Sequence, residues 1–84
     1  MGGAKKLLDR MRRTNQGWSY EKATSVLDHY GFVSRDSGHK VYHDPEEPMN
    51  FVVLPRHPEV RDYVIDDIIE AVDQMVKRKE MESR

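Results

Sequence analysis

The sequence predicts an α+β domain in which helices cover a small antiparallel sheet to form a two-layer sandwich. Residues 20–30 and 64–76 carry apolar side chains at helical spacing, whereas the chain between them breaks into short apolar runs separated by turns. The predicted order is a short basic helix followed by helix, three strands and helix. Because the strands are joined by short connections, we expect them to pair antiparallel with the helices on one face.

The first two helices are predicted from periodicity and from their end signals. Residues 4–13 form an amphipathic basic helix, followed by a break at residues 14–17. The apolar side of this helix consists of Leu7, Leu8 and Met11. Ser19 is a suitable N-cap for the second helix, and Gly31 stands where a glycine in the left-handed conformation would end it.

The strands are predicted where helical spacing of the apolar residues gives way to short apolar or alternating runs, and the last helix is predicted where helical spacing returns. Strands are predicted at residues 32–35, 39–43 and 51–54, with a turn at residues 36–38 between the first two. Residues 44–48 contain two prolines and three acids, so we expect a solvated loop there. The apolar stripe of residues 64–76 has acidic residues early and basic residues late, as the helix dipole favours.

Composition limits the class of protein. The chain has 84 residues, no cysteine and a net charge of −1, which predicts one small domain without disulfides, thiolate metal sites or a cysteine nucleophile. No apolar run is long enough to span a bilayer. We therefore expect a soluble cytoplasmic protein with one domain over residues 1–84. Residues 1–17 would form its basic helix and turn, and residues 18–80 its core.

The small net charge hides an uneven distribution. Residues 1–20 hold five basic residues and one acidic residue, whereas residues 44–73 hold nine acidic residues and two basic ones. An asymmetric chain of this kind can present a basic surface whatever its total charge. Three possibilities stay open for the basic helix: it binds nucleic acid, it binds an acidic partner, or it has neither role.

Histidines are the main candidates for chemistry in a chain without cysteine. His39 and His43 lie in a predicted strand, where four residues span about 13 Å, too far for both imidazoles to bind one metal ion. We therefore expect no metal and no cofactor. His29 is interpreted as an ordinary helix residue. His57 lies between two prolines, which indicates a rigid corner that fixes Arg56 and His57.

His39 is the best placed of the four for proton transfer. It follows Ser37 and Gly38, and the N–H groups of such a turn can face an anion. An imidazole gains or loses a proton near neutral pH, and Arg35 and Lys40 could hold a phosphate beside it. The alternative is that His39 is an ordinary residue at the start of a strand.

Taken together, these segments resemble the HicA toxins of bacterial and archaeal HicAB toxin–antitoxin systems. The resemblance rests on residues 30–32 (YGF) at a helix end, the turn 37–39 (SGH), Tyr42, and residues 53–58 (VLPRHP) before the last helix. The basic N-terminal helix is similar to that of a longer subgroup. The resemblance covers most of the chain, and it depends on the order and spacing of these motifs together.

The resemblance implies an mRNA interferase on a double-stranded-RNA-binding-like α-β-β-β-α fold, neutralised by a HicB antitoxin that covers the active face. His39 would be the catalytic general acid or base. The residues that would contact RNA are Arg35, Ser37, Gly38, Lys40 and Arg56. The expected partners are mRNA and a HicB-like antitoxin, with a small homo- or hetero-oligomer possible and no membrane contact.

Two alternatives from other functional classes share the predicted fold. One is a non-catalytic RNA-binding module, which needs no histidine. The other is a protein-interaction domain whose RNA face has decayed, with the acidic loop and the last helix as its binding surface.

Overall fold

The computed structural model describes residues 3–37, 39–55 and 58–82, apart from the side chains of residues 36, 37 and 39. These residues form three helices and five strands. In chain order they are α1 (Gly3–Arg13), β1 (Trp18–Ser19), α2 (Tyr20–His29), β2 (Val33–Ser37), β3 (His39–Asp44), β4 (Glu47–Leu54), β5 (Glu59–Val60) and α3 (Asp62–Glu82). The predicted α+β class is confirmed.

A three-stranded antiparallel sheet has the order β2-β3-β4, so β3 is its central strand. Tyr42 pairs with Val52 and Lys40 with Leu54, which places these positions on one face of the sheet. Tyr42, Val52 and Leu54 are buried in the same core as the helices. We call this the inner face. The opposite face is not covered by any helix among the described residues.

Helices α2 and α3 supply most of the remaining core. Their buried residues are Ala23, Val26 and Leu27 on α2, and Val64, Ile65, Ile68, Ala71, Val72 and Met75 on α3. The Asn50 side chain on β4 is also buried, and its amide donates a 2.9 Å hydrogen bond to the backbone oxygen of Ala71. A buried amide needs such a partner, so this bond fixes β4 against α3.

The basic helix α1 belongs to this core. Ala4, Leu8 and Met11 are buried on its inward side, at the spacing of one helical face. Arg12 pairs with Asp73 of α3 through both guanidinium nitrogens, one of them 2.9 Å from a carboxylate oxygen. The Trp18 indole donates a 2.9 Å hydrogen bond to the Thr14 backbone oxygen just after the helix. Helix α1 is therefore packed on the domain along its length.

The ends of α2 agree with the sequence prediction. The Ser19 hydroxyl accepts a hydrogen bond from the backbone N–H of Lys22, as an N-cap does. At the other end Gly31 has φ of 94°, its N–H reaches the Asp28 oxygen, and the Phe32 N–H reaches the Leu27 oxygen. These two bonds are the Schellman pattern, which needs a left-handed residue at the position of Gly31.

Two local expectations were wrong. Residues 36 and 37 of the expected turn at 36–38 belong to β2, which continues to Ser37 opposite His39, and residue 38 lies outside the described residues. The expected loop at residues 44–48 is a turn of two residues, since β3 includes Asp44 and β4 begins at Glu47. The Asp44 carboxylate accepts a hydrogen bond from the Glu46 N–H, which closes the turn.

Proline is tolerated in β4 for two reasons. The pairs His43↔Phe51 and Asp44↔Glu47 are one residue apart on β3 but four apart on β4, so the register shifts there. Pro48 lies in that irregular stretch, and β4 is an edge strand. Its missing N–H therefore removes no bond from the regular part of the ladder.

A second, smaller sheet was not predicted. Strand β1 pairs antiparallel with β5, so that Trp18 lies opposite Val60 and Ser19 opposite Glu59. The N–H of Tyr20 also bonds to the Pro58 oxygen at 3.1 Å. This ribbon joins the start of α2 to the chain just before α3.

None of the helices in the described residues has the length and apolar character needed to cross a membrane.

Replacing Met11 with alanine is expected to lower the free energy of unfolding by about 2–5 kcal/mol, because it leaves a cavity between α1 and the rest of the core. Lys6→Ala on the exposed side of α1 is the matched control and should change it by less than about 0.5 kcal/mol. Urea denaturation measures both. Equal stability of the two variants would contradict the packing of α1 described above.

Gly31→Ala is expected to destabilise the fold by about 1–2 kcal/mol, since an L residue is strained at a φ of 94°. Gly3→Ala at the start of α1 is the control, because nothing lies near its added methyl group and its φ is not positive. Thermal unfolding followed by circular dichroism should show a loss for the first variant and none for the second.

Candidate nucleic-acid interface

One side of the three-stranded sheet is open to solvent in the part of the chain that the structure describes. The cross-strand pairs Val33↔His43, Arg35↔Val41, His43↔Phe51 and Val41↔Val53 place six positions on it. We call these six residues the outer sheet face: Val33, Arg35, Val41, His43, Phe51 and Val53. Phe51 is 52% exposed and Val33 43%, values far above those of the inner face.

A shallow pocket lies at one side of the outer sheet face. It has a volume of about 280 Å³ and is lined by Arg35, Val41, His43, Pro48 and Phe51. The pocket thus brings a guanidinium, an imidazole and an aromatic ring to one place on an open surface. Such a combination suits a flat, negatively charged ligand.

The predicted catalytic residue, His39, is placed by its backbone alone. It is the first residue of the central strand β3, and its register partner is Ser37 at the end of β2. The side chains of Ser37 and His39, and all of Gly38, Arg56 and His57, lie outside the described part of the structure. The predicted roles of these residues stay predictions.

The two predicted phosphate ligands Arg35 and Lys40 lie on opposite faces of the sheet. Arg35 pairs with Val41 on the outer sheet face, whereas Lys40 pairs with the fully buried Leu54. The Lys40 ammonium is 5.5 Å from the centre of the Tyr42 ring on the inner side. The sequence prediction had placed both side chains around one phosphate, and the structure does not bring them together.

The Tyr42 side chain on the inner face is buried from solvent. Burial raises its pKa, and the negative charge of Asp28 acts in the same direction, while the nearby Lys40 opposes the shift. Tyr42 therefore stays neutral at physiological pH. Its ring packs in the core, so the aromatic residue of the family-like motif is a structural residue in this chain.

The acidic turn between β3 and β4 is joined to α3 by Arg78. One guanidinium nitrogen is 2.6 Å from the Asp44 carboxylate, and the other pairs with Glu46 and, at 3.2 Å, with Glu82. Asp44 is only 1% exposed, whereas Glu46 is open to solvent. Two of the acids that the sequence places in a solvated loop are thus paired with a cation.

Burial of the Asp44 carboxyl opposes its ionisation, but hydrogen bonds from the Glu46 N–H and from Arg78 outweigh this and hold its pKa below the ordinary value. The same contacts raise the pKa of Arg78, mainly through the hydrogen bond to Asp44. Both groups are therefore charged over the whole physiological range.

Two of the basic side chains of α1 make contacts inside the domain. Arg12 pairs with Asp73, and the Arg10 guanidinium lies 5.7 Å from the centre of the Trp18 ring. Lys5, Lys6 and Arg13 are exposed on the same helix. The basic helix is thus a packing element that also presents positive charge to solvent.

Among the residues that the structure describes, no group of three or more histidine, aspartate or glutamate side chains could together hold a metal ion.

Phe51 was not singled out from the sequence as a functional residue. Residues 51–54 were interpreted only as an apolar strand, and a run of four apolar residues does not show which members face outward. Asn50 is buried on the inner side, so strand alternation turns its neighbour Phe51 to the other side. Because asparagine is usually exposed and phenylalanine usually buried, the sequence alone gives no signal for this arrangement.

Compared with protein-family models, with curated proteins and with solved structures, the chain has no match in any of the three.

Asp44→Asn is expected to destabilise the protein at neutral pH, because the charged hydrogen bond to Arg78 is weakened. Since the folded pKa of Asp44 lies below the unfolded value of about 3.9, its stabilisation is present above that pH and is lost as the pH falls further. The gap in unfolding free energy between parent and variant should therefore shrink below about pH 4.

The matched control is Asp73→Asn, which removes the carboxylate of an exposed ion pair. Such pairs contribute at most about 1 kcal/mol, so this variant should lie close to the parent. Urea unfolding at several pH values between 2.5 and 7 measures both. A gap for Asp44→Asn that stays constant with pH would contradict the assigned role of the carboxylate.

Proposed function

We propose that this chain is a HicA-like toxin, a metal-independent endoribonuclease that cleaves mRNA in the cytoplasm and is neutralised by a HicB-like antitoxin. The motifs around Tyr30–Phe32, Ser37–His39 and Val53–Pro58 are the sequence basis for the family. The finer description of the fold as double-stranded-RNA-binding-like belongs to the same proposal. It is supported by the order α2-β2-β3-β4-α3 with an antiparallel sheet.

The observation that carries the proposal is the register of β3. Position 39 follows the same two-residue alternation as Val41 and His43, which belong to the outer sheet face. The proposed catalytic histidine would then stand at the end of an open face that already presents Arg35 and His43. A long RNA chain needs an uncovered surface of this kind.

In the proposed reaction the ribose 2′-oxygen attacks the adjacent phosphorus, the bond to the 5′-oxygen breaks, and a 2′,3′-cyclic phosphate forms. His39 would take the proton from the 2′-hydroxyl as a general base or give one to the leaving 5′-oxygen as a general acid. Arg35 would offset the charge that develops on the phosphoryl oxygens. We assign this contact to Arg35 because Lys40 lies on the inner side of the sheet.

Ser37, Gly38 and Arg56 would complete the RNA contacts. Ser37 is the register partner of His39, so it stands next to the proposed catalytic residue in the hairpin. The pairing of Asp44 and Glu46 with Arg78 of α3 offsets acidic charge at the β3–β4 turn, which reduces the repulsion between this turn and an RNA bound to the sheet.

His39→Ala is expected to lower the rate of RNA cleavage by about 10²–10⁴-fold without unfolding the protein, because it removes the proton-transfer group. The matched control is His29→Ala, an exposed histidine at the end of α2, which should cleave like the parent. Purified proteins are tested on a fluorescent single-stranded RNA, with circular dichroism as the check of folding. Full activity of His39→Ala would rule out this catalytic role.

The other functional classes give different results in the same assay. A salt-dependent RNA gel shift without any cleavage between pH 5 and 8 would indicate the non-catalytic RNA-binding module. Stable co-purification with a partner and no RNA shift at low salt would indicate the protein-interaction domain. Induced expression of the parent and of His39→Ala in cells, scored by growth arrest and mRNA decay, tests the toxin assignment.

A further inference from the structure

Phe51 is an exposed aromatic ring on the outer sheet face. It lies on the edge strand β4 opposite His43 of the central strand, and 52% of its surface is accessible. Directly opposite residues of an antiparallel pair have Cβ atoms about 4.5–5.5 Å apart, so the ring and the imidazole are neighbours. Arg35 lines the same pocket from β2.

Three planar side chains therefore share one surface. Phenyl, imidazole and guanidinium groups are the side chains on which proteins stack unpaired bases, and a flat antiparallel sheet is a common support for them. Val33, Val41 and Val53 surround these groups with apolar surface. Such a surface offers bases both a stacking partner and an environment from which water is displaced.

The charges of the outer sheet face fit a polyanion. Its six residues include one guanidinium and one imidazole but no carboxylate, in a chain that has 15 acidic residues. A basic peptide would find no countercharge there. A double-stranded nucleic acid is also a poor occupant, because its bases are already stacked on each other and offer no free faces.

We propose that Phe51, His43 and Arg35 form a stacking surface for the unpaired bases of a single-stranded RNA segment. The proposal rests on the proposed function, because it names the form of RNA that the same face would hold. Phe51 is a binding residue in this scheme and takes no part in proton transfer. The bases next to the cleaved phosphate would lie across the sheet, with Arg35 between the stacked bases and the backbone.

The test measures binding of a fluorescent 2′-O-methyl RNA, which lacks the attacking hydroxyl and is not cleaved. The full chain is titrated with this strand alone and with the same strand in a duplex. Phe51→Ala should weaken binding of the single strand by about 5- to 150-fold, the range found for loss of one stacked base. Phe51→Trp should bind within about threefold of the parent.

Two further variants separate stacking from other causes. Phe51→Leu keeps an apolar side chain but has no aromatic face, so it should lose most of the affinity as Phe51→Ala does. Tyr63→Ala removes an aromatic ring of similar exposure, 57%, at the start of α3, and should bind like the parent. Because Phe51 is exposed, its variants should remain folded, and circular dichroism checks this.

The outcomes distinguish this proposal from the proposed function. A parent that cleaves RNA while Phe51→Ala and Phe51→Leu bind the single strand normally would overturn the stacking surface alone. Equal binding of duplex and single strand would overturn it as well. A parent that neither binds nor cleaves RNA would overturn both. If Phe51→Leu binds like the parent and Phe51→Ala does not, the outer sheet face binds RNA through apolar contacts, and the stacking proposal is wrong.

Discussion

Burial of one face of the three-stranded sheet is the interaction on which the rest of the structure depends. Tyr42, Val52 and Leu54 belong to the same buried cluster as residues of α2 and α3. Helix α3 packs directly on β4, α2 packs on α3, and α1 packs on those two helices. Among the residues that the structure describes, no helix covers the outer sheet face, which is the surface proposed above to hold RNA.

The ion pairs follow from the same arrangement. Helix α3 runs along the inner face and carries Asp73 toward α1 and Arg78 toward the β3–β4 turn. The chain is basic at its start and acidic over residues 44–73, and these two contacts bring opposite charges together within the fold. The uneven charge along the sequence is thus partly balanced by contacts inside the domain.

The sequence predicted the helices more accurately than the connections between strands. Periodicity and caps located α1, α2 and α3, because Ser19 and Gly31 act through local hydrogen bonds that a short segment contains. Residues 44–48 were interpreted as a loop because composition does not reveal Arg78, which is 34 residues from Asp44 and makes its burial possible. The sequence also does not predict the ribbon of β1 and β5, because strands of two residues are too short to show a periodic pattern.

The candidate site was predictable only in part. Arg35 and the start of β3 could be identified from the chain, but the separation of Arg35 from Lys40 depends on a register that the sequence leaves open. A shift of the hairpin by one residue would exchange the two faces. The exposure of Phe51 likewise depends on which side of β4 the helices occupy.

The ribbon of β1 and β5 has a consequence for how the domain folds. Trp18 and Val60 are 42 residues apart, and the segment between them contains α2 and the whole three-stranded sheet. Closing so long a loop costs entropy that the contacts of the completed core offset, so the ribbon depends on the folded segment between its two strands. Once formed, it joins both ends of that segment, and the sheet and helices then unfold as one cooperative unit.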